Sequence, residues 1–169
     1  MEQVWRRGRF EISTDRARLD FDVLHDFISR QSYWGLGRSR AVVERAVNNS
    51  LPFGLYQGAR QIGFARVVTD YATFAWLADV FVLEEFRGQG LAKWLVEVII
   101  AHPELQDLRR WLLATRDAHE LYRRFGFNEL ATPDLWMERF DPRQGASGLD
   151  RQSSVGTDQS APAQTEGHR

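Results

Sequence analysis

Arg87-Gly88-Gln89-Gly90-Leu91-Ala92 is the stretch whose residue types and spacing most directly imply chemistry. It follows a mostly apolar run, Leu77 to Leu83, that reads as a buried strand, and it opens a helix expected to continue to about Ala101. A strand feeding a glycine-rich helix start is a phosphate-binding device. The glycines let backbone approach a ligand, and the first N–H groups of the helix point at it with the positive end of the helix dipole behind them. Two familiar phosphate loops do not fit. A dinucleotide fingerprint needs a third glycine where Lys93 stands, and no G-x-x-x-x-G-K-[ST] run exists anywhere in the chain. On its own the stretch is equally compatible with an ordinary strand-to-helix turn.

The spacing Arg87-x-x-Gly90-x-Ala92 resembles the acetyl-CoA pyrophosphate loop, R/Q-x-x-G-x-G/A, of the GNAT N-acetyltransferase superfamily. A second block, Thr115-Arg-Asp-Ala118-His-Glu-Leu121-Tyr122-Arg-Arg-Phe125-Gly126-Phe127, resembles the late helix of the same family, N-x-x-A-x-x-L-Y followed by G-F. One helix and one strand fit between the blocks, and the resemblance covers roughly residues 9 to 140. It implies an α/β (α+β) fold, GNAT-like, with a mixed, mostly antiparallel sheet flanked by helices. It implies acetyl-CoA as cosubstrate, no metal, and direct transfer of acetyl to a primary amine in a ternary complex, the acceptor being a small molecule or a protein lysine. The implied cofactor-binding residues are Phe81, Val82, Arg87, Gly88, Gln89, Gly90, Leu91, Ala92 and Thr115. The backbone near Phe81 or Val82 would stabilise the oxyanion, and Tyr122 would protonate the leaving thiolate. Thr115 departs from the pattern, standing where many members carry an Asn that holds the pantetheine. A non-catalytic acyl-CoA sensor or interaction module is the rival reading of the same fold.

Individual residues carry two readings each. Tyr122 shares a helical stripe with Ala118, Leu121 and Phe125, which is usual for core, whereas the motif makes it catalytic. Asp79 interrupts the apolar strand Leu77-Ala78-Asp79-Val80-Phe81-Val82, where an unpaired carboxylate is costly. It is either at an edge or paired with an arginine, or it binds and deprotonates the amine. Polyamine acetyltransferases of the resembling superfamily have an Asp in a similar place. Tyr33, Trp34 and Trp76 are candidate aromatic walls for a cationic amine, or plain core. Arg109, Arg110, Arg116, Arg123 and Arg124 form a basic cluster that is either a solvated surface or a contact for the CoA 3′-phosphate. His119-Glu120-Leu121-Tyr122-Arg123 starts like H-E-x-x-H and fails at its last position, so it is no zinc motif.

The chain has 169 residues, a hydrophobic fraction of 43%, 11 Phe and 6 Trp, enough for one well-filled domain. A net charge of -1 gives no overall pull toward nucleic acid or membrane. Zero cysteines excludes disulfides, thiolate metal sites and an acyl-cysteine intermediate. No apolar run reaches the ~18–20 residues of a membrane span, and the polar, basic N-terminus is no signal peptide, so a cytoplasmic monomer or homodimer is expected.

The elements that must position these residues read as follows. A first strand is expected over Arg9–Ser13, a helix capped by Asp20 to about Ser29, a loop over Gln31–Gly37 and a helix over Ser39–Asn48. Strands follow at Pro52–Tyr56 and Ile62–Val68, joined by a hairpin turn, then at Thr73–Leu83 and Trp111–Ala114, with a last strand at Leu135–Phe140. Residues 1–141 are expected to form the domain. Residues 142–169, rich in Gly, Ser, Gln, Asp and Thr, are expected to be a disordered tail.

Overall fold

The computed structural model describes residues 2–141, so the tail expected over 142–169 lies outside the described residues. Six strands form one sheet in the order β1 (Val4–Arg7), β2 (Phe10–Ser13), β3 (Leu51–Gln57), β4 (Arg60–Thr69), β5 (Phe74–Val82), β6 (Arg110–Leu112). Neighbours run antiparallel except β5 and β6, which are parallel. Helices α1 (Phe21–Asp26), α2 (Arg40–Asn48), α3 (Leu91–Ile100) and α4 (His119–Arg123) flank it. The mixed, mostly antiparallel sheet flanked by helices is therefore present.

Local chemistry explains the element starts. The Asp20 carboxylate accepts from the N–H groups of Asp22 and Val23, and Ser39 Oγ accepts from Val42 N–H, so each side chain satisfies donors that a helix start leaves open. Past α1 the chain widens into a π turn over Phe27–Gln31, where Ser32 N–H reaches back to the Phe27 carbonyl at 2.9 Å. This places Ser32, Tyr33 and Trp34 beside the sheet instead of continuing the helix.

Apolar surface is buried on both faces. Leu24, Ile28, Val43 and Val47 of the first helices pack on Phe64 and Phe81. On the other face α3 buries Leu91, Trp94, Leu95, Val96, Val98 and Ile99 against Phe53, Leu55, Val67 and Leu77. Each such side chain contributes roughly 1.5–3 kcal/mol on burial, so α3 is firmly anchored and the loop before it has a fixed base.

Several boundaries differ from expectation. A strand precedes the expected first one: Val4–Arg7 pairs with Phe10–Ser13 despite its basic composition, because Trp5 packs against the core. The helix expected from Arg87 begins at Leu91, since Gly90 is left-handed and ends the preceding loop. The strand expected over Trp111–Ala114 is Arg110–Leu112. The last strand expected at Leu135–Phe140 is not formed. Pro133–Leu135 is a 3-10 turn, and Trp136 to Phe140 carry no strand. Leu135 is 79% exposed and Met137 98%, so the apolar residues of this segment do not share a buried face.

One irregularity shapes everything that follows. The β4–β5 ladder pairs Phe64 with Phe81 and Arg66 with Ala78, so Asp79 and Val80 oppose the single residue Ala65. This is a β-bulge, and Asp79 sits at it with φ of 51°, in the left-handed region. The extra residue reverses the inside-outside alternation of β5. Leu77 faces the α3 side, whereas Phe81 faces α1.

Candidate active site

The glycine loop is built from backbone. After β5, a 3-10 turn over Glu84–Phe86 leads to Gly88 (φ 76°) and Gly90 (φ 73°), a conformation that L side chains rarely adopt. A Cβ at either glycine would stand in open space, within 4 Å of nothing, so both backbones face outward unobstructed. No side chain caps α3, which leaves its first N–H groups available at the positive end of the helix. The polar side chains of the loop are spent on folding it. Arg87 Nε donates to the Val82 carbonyl at 3.0 Å, and Gln89 Nε2 donates to the Phe86 carbonyl. Leu91 is buried in the core and Ala92 is half-buried. An exposed pair of glycines and uncapped N–H groups suits a pyrophosphate.

Upstream of this loop, along β5, the sheet splits. β6 pairs with β5 only from Phe74–Arg110 to Trp76–Leu112. Beyond that point the two strands diverge, and a cleft of about 540 Å³ opens with Leu77–Val80 on one wall and Leu113–Thr115 on the other. Backbone groups on that edge of β5 have no neighbouring strand. Phe81 is held rigidly there, its ring stacked on Phe27 at 3.9 Å and 7°, and Val82 is buried beside it.

Tyr122 reaches the same cleft from α4. Its ring is 8% exposed and packs edge-on against Phe127, while burial pushes its hydroxyl up to about 12, with Tyr33 adding a smaller push. The phenol is therefore protonated throughout the neutral range. Packing and access to the cleft, the two roles its helical stripe suggested, coexist. Thr115 Oγ1 accepts from Ala118 N–H at 3.1 Å, so this hydroxyl starts the α4 turn and keeps its own hydrogen for another acceptor.

The wall of the cleft around Asp79 is charged. Asp79, buried, accepts from Arg66 Nε at 2.5 Å, from Trp34 Nε1 at 2.9 Å and from Arg38 Nη1 at 3.4 Å. Arg66 lies on β4 directly beside the bulge, and Arg38 arrives from the loop before α2. Of the aromatic candidates, Trp34 is thus tied to Asp79. Tyr33 stands edge-on to Trp34, accepts from Arg116 N–H at 2.8 Å and carries the Arg116 guanidinium over its ring. Trp76 lines the cleft and is 37% exposed. Tyr33, Trp34, Trp76, Asp79, Thr115 and Tyr122 therefore meet at one cleft.

Comparison with known proteins decides the family. The family model described as acetyltransferase (GNAT) domain matches residues 48–129, which include the glycine loop, the split in the sheet and Tyr122. The "Putative acetyltransferase FG08082" of Gibberella zeae is 32% identical over 167 residues, spanning 86% of this chain and 90% of that protein. This chain belongs to the GNAT acetyltransferases. A crystal structure from Xanthomonas campestris, described as belonging to the GNAT family, is 44% identical, with a TM-score of 0.78 over 87% of this chain and 100% of the other. A Clostridium acetobutylicum structure described with acetyl-CoA has the same fold at 14% identity, with a TM-score of 0.58 over 85% of this chain and 98% of that one. A histone acetyltransferase of Glycine max is 39% identical over 69 residues, but this chain spans only 30% of its length.

Sequence reasoning missed Arg38 and Arg66, the two arginine partners of the buried carboxylate in this GNAT chain. A signal for Arg66 existed. It breaks the apolar run Ile62 to Val68 as Asp79 breaks the next strand, and the hairpin between them brings the two within one residue of register. Arg38 lies in a loop and carried no such signal. Among the described residues no helix is long and apolar enough to cross a membrane, and no three His, Asp or Glu side chains gather at metal-binding distance.

Proposed function

We propose that this GNAT chain is an acetyl-CoA-dependent N-acetyltransferase that moves acetyl directly to a primary amine. The observation that carries this reading is the cleft where Tyr122 meets the unpaired edge of β5, the strand that leads on to the uncapped α3 loop. Gly88, Gly90 and the α3 N–H groups would hold the pyrophosphate, and Thr115 would donate to the pantetheine. Bound acetyl-CoA supplies a thioester carbonyl placed against the β5 backbone.

A primary amine such as lysine has a pKa of about 10.4 and must lose a proton before it attacks. In this reading that proton passes to water in the open cleft. Asp79 is the alternative base, but both its oxygens already accept from arginine. We assign it to hold Arg66, Arg38 and Trp34 in place. The free amine lone pair forms the C–N bond, and β5 backbone N–H groups near Phe81 and Val82 stabilise the charge that develops on the carbonyl oxygen. As the C–S bond breaks, sulfur keeps the bonding pair and Tyr122 donates its proton to it. A phenol held near 12 is a weak acid. Tyr122 therefore regains a proton as it gives one up, the one that the attacking nitrogen sheds on becoming an amide, relayed through water, and phenolate does not accumulate.

The test is release of free CoA thiol from acetyl-CoA in the presence of a broad panel of amines, with calorimetry of acetyl-CoA binding alongside. Amine-dependent turnover is expected. Tight acetyl-CoA binding with no turnover of any amine would make the chain a sensor of the same fold.

A further inference from the structure

The floor of the acceptor cleft holds two cations and one anion. Arg66 and Arg38 have side chains 13% and 31% exposed, and both are paired to the single carboxylate of Asp79, itself 4% exposed. Three donors already converge on that carboxylate, while most guanidinium N–H groups remain unspent. Arg66 uses only Nε, and Arg38 uses one bond to Asp79 and one from Nη2 to the Trp34 carbonyl. Among the described residues the terminal nitrogens of Arg66 have no hydrogen-bond acceptor. A guanidinium is a fork of five donors shaped for planar oxygen pairs, and partly buried charge of one sign favours a counter-charge nearby. Both arginines line the cleft into which the acceptor must fit. The other acids there, Asp117 and Glu138, are exposed, where water and salt screen them.

We infer that the acceptor is a small amine carrying its own carboxylate, an amino-acid-like molecule, which Arg38 and Arg66 grip by that group while its nitrogen faces the β5 edge. The surplus at the floor is one positive charge, which a monoanionic carboxylate neutralises and a dianionic phosphate over-fills. This inference rests on the acetyltransferase reading. It adds that the cleft selects its amine by the acid at the other end and not by the ammonium itself.

Matched acceptors test it: amino acids of varied chain length, their carboxamides, the corresponding decarboxylated amines, aminoalkyl phosphonates, a polyamine and a lysine peptide. Thiol release gives kcat/KM for each, and calorimetry against the CoA-bound protein gives affinity independently of turnover. The best carboxylate is expected to exceed its carboxamide by about 100-fold or more in kcat/KM, mostly through KM. Arg38→Gln should shrink that ratio to about tenfold or less, mainly by raising the KM of the carboxylate, and Arg38→Lys should restore part of the ratio. Unchanged melting of both variants and unchanged acetyl-CoA affinity confirm that they fold.

The inference is overturned if carboxamides, polyamine, peptide or phosphonates match or outrun the carboxylates. It is equally overturned if Arg38→Gln lowers all acceptors alike, or if no carboxylate binds to the CoA-bound protein. Failure of the acetyltransferase reading looks different: acetyl-CoA itself does not bind, or every carboxylate that binds fails to accept acetyl.

Discussion

The glycine loop and the cleft are made from different materials. The loop before α3 is backbone: two left-handed glycines and a helix start with no capping side chain. The charged wall of the cleft is side chain: a buried carboxylate gripped by two guanidiniums and an indole from two separate segments, the loop before α2 and β4. Backbone recognises what all ligands of a class share, in the proposed reading a pyrophosphate. Side chains can be exchanged without rebuilding the sheet, so they are where one acceptor can be told from another. Tyr122 lines the cleft opposite β5.

That position makes Tyr122→Phe the harshest test. Loss of the hydroxyl should lower kcat by roughly 10- to 10³-fold, at or below the usual range for a proton donor, with acetyl-CoA affinity retained because the ring still packs. Because the hydroxyl is held near 12, the parent's rate should show no decline from Tyr122 ionisation below about pH 10. A variant as fast as the parent would reduce Tyr122 to packing.

Asp79→Asn strikes the side-chain cluster alone. Stripping a buried ion pair of one member costs about 3–5 kcal/mol. Here one arginine is partly solvated, so the loss should sit near the low end, roughly 3 kcal/mol. That corresponds to a fall in Tm of roughly 6–12 °C. Acetyl-CoA affinity should not move. If melting is unchanged while kcat/KM collapses, Asp79 is a base after all.

Gly90→Val strikes the backbone loop alone. Its side chain would stand in the open space over the loop. It should weaken acetyl-CoA roughly ten- to hundredfold by calorimetry, about 1.4–2.8 kcal/mol, while acceptor preference stays as it was. Unchanged affinity would remove the phosphate assignment.

The smallest effect lies outside both. His102, just beyond α3, is 1% exposed, with its ring against Trp5 and Phe53 and Nδ1 accepting from Glu104 N–H. Burial holds its pKa below the ordinary value of 6.5. The unfolded chain therefore takes up the proton more readily, so the contribution of neutral His102 is complete above about pH 6.5 and declines as pH falls below it. Urea unfolding of His102→Gln should show a flatter dependence between about pH 6.5 and 5 than the parent.

The same contrast explains what could be read in advance. Gly88, Gly90 and the caps Asp20 and Ser39 announce themselves locally, because left-handed turns and helix starts restrict residue choice at single positions. The cluster around Asp79 does not, because its partners are separated in sequence by 13 and 41 residues and meet only once the bulge has reversed the parity of β5. Strand β1 was hidden by its charges. The unformed strand at Leu135–Phe140 misled through an apolar content that stays in water.

The charges on β1 have a use of their own. An outermost strand offers a row of unpaired amide and carbonyl groups on which another molecule's strand can stack, the first step toward fibrous aggregates. At this rim Arg6 and Arg7 project into solvent, Arg6 paired to Glu11 and Arg7 lying over Trp94. A second copy laid antiparallel on β1 would set its own arginines near these. The opposite rim, β6, is only three residues long and begins with Arg110. Basic charge at one border and brevity at the other both oppose growth of the sheet beyond the molecule.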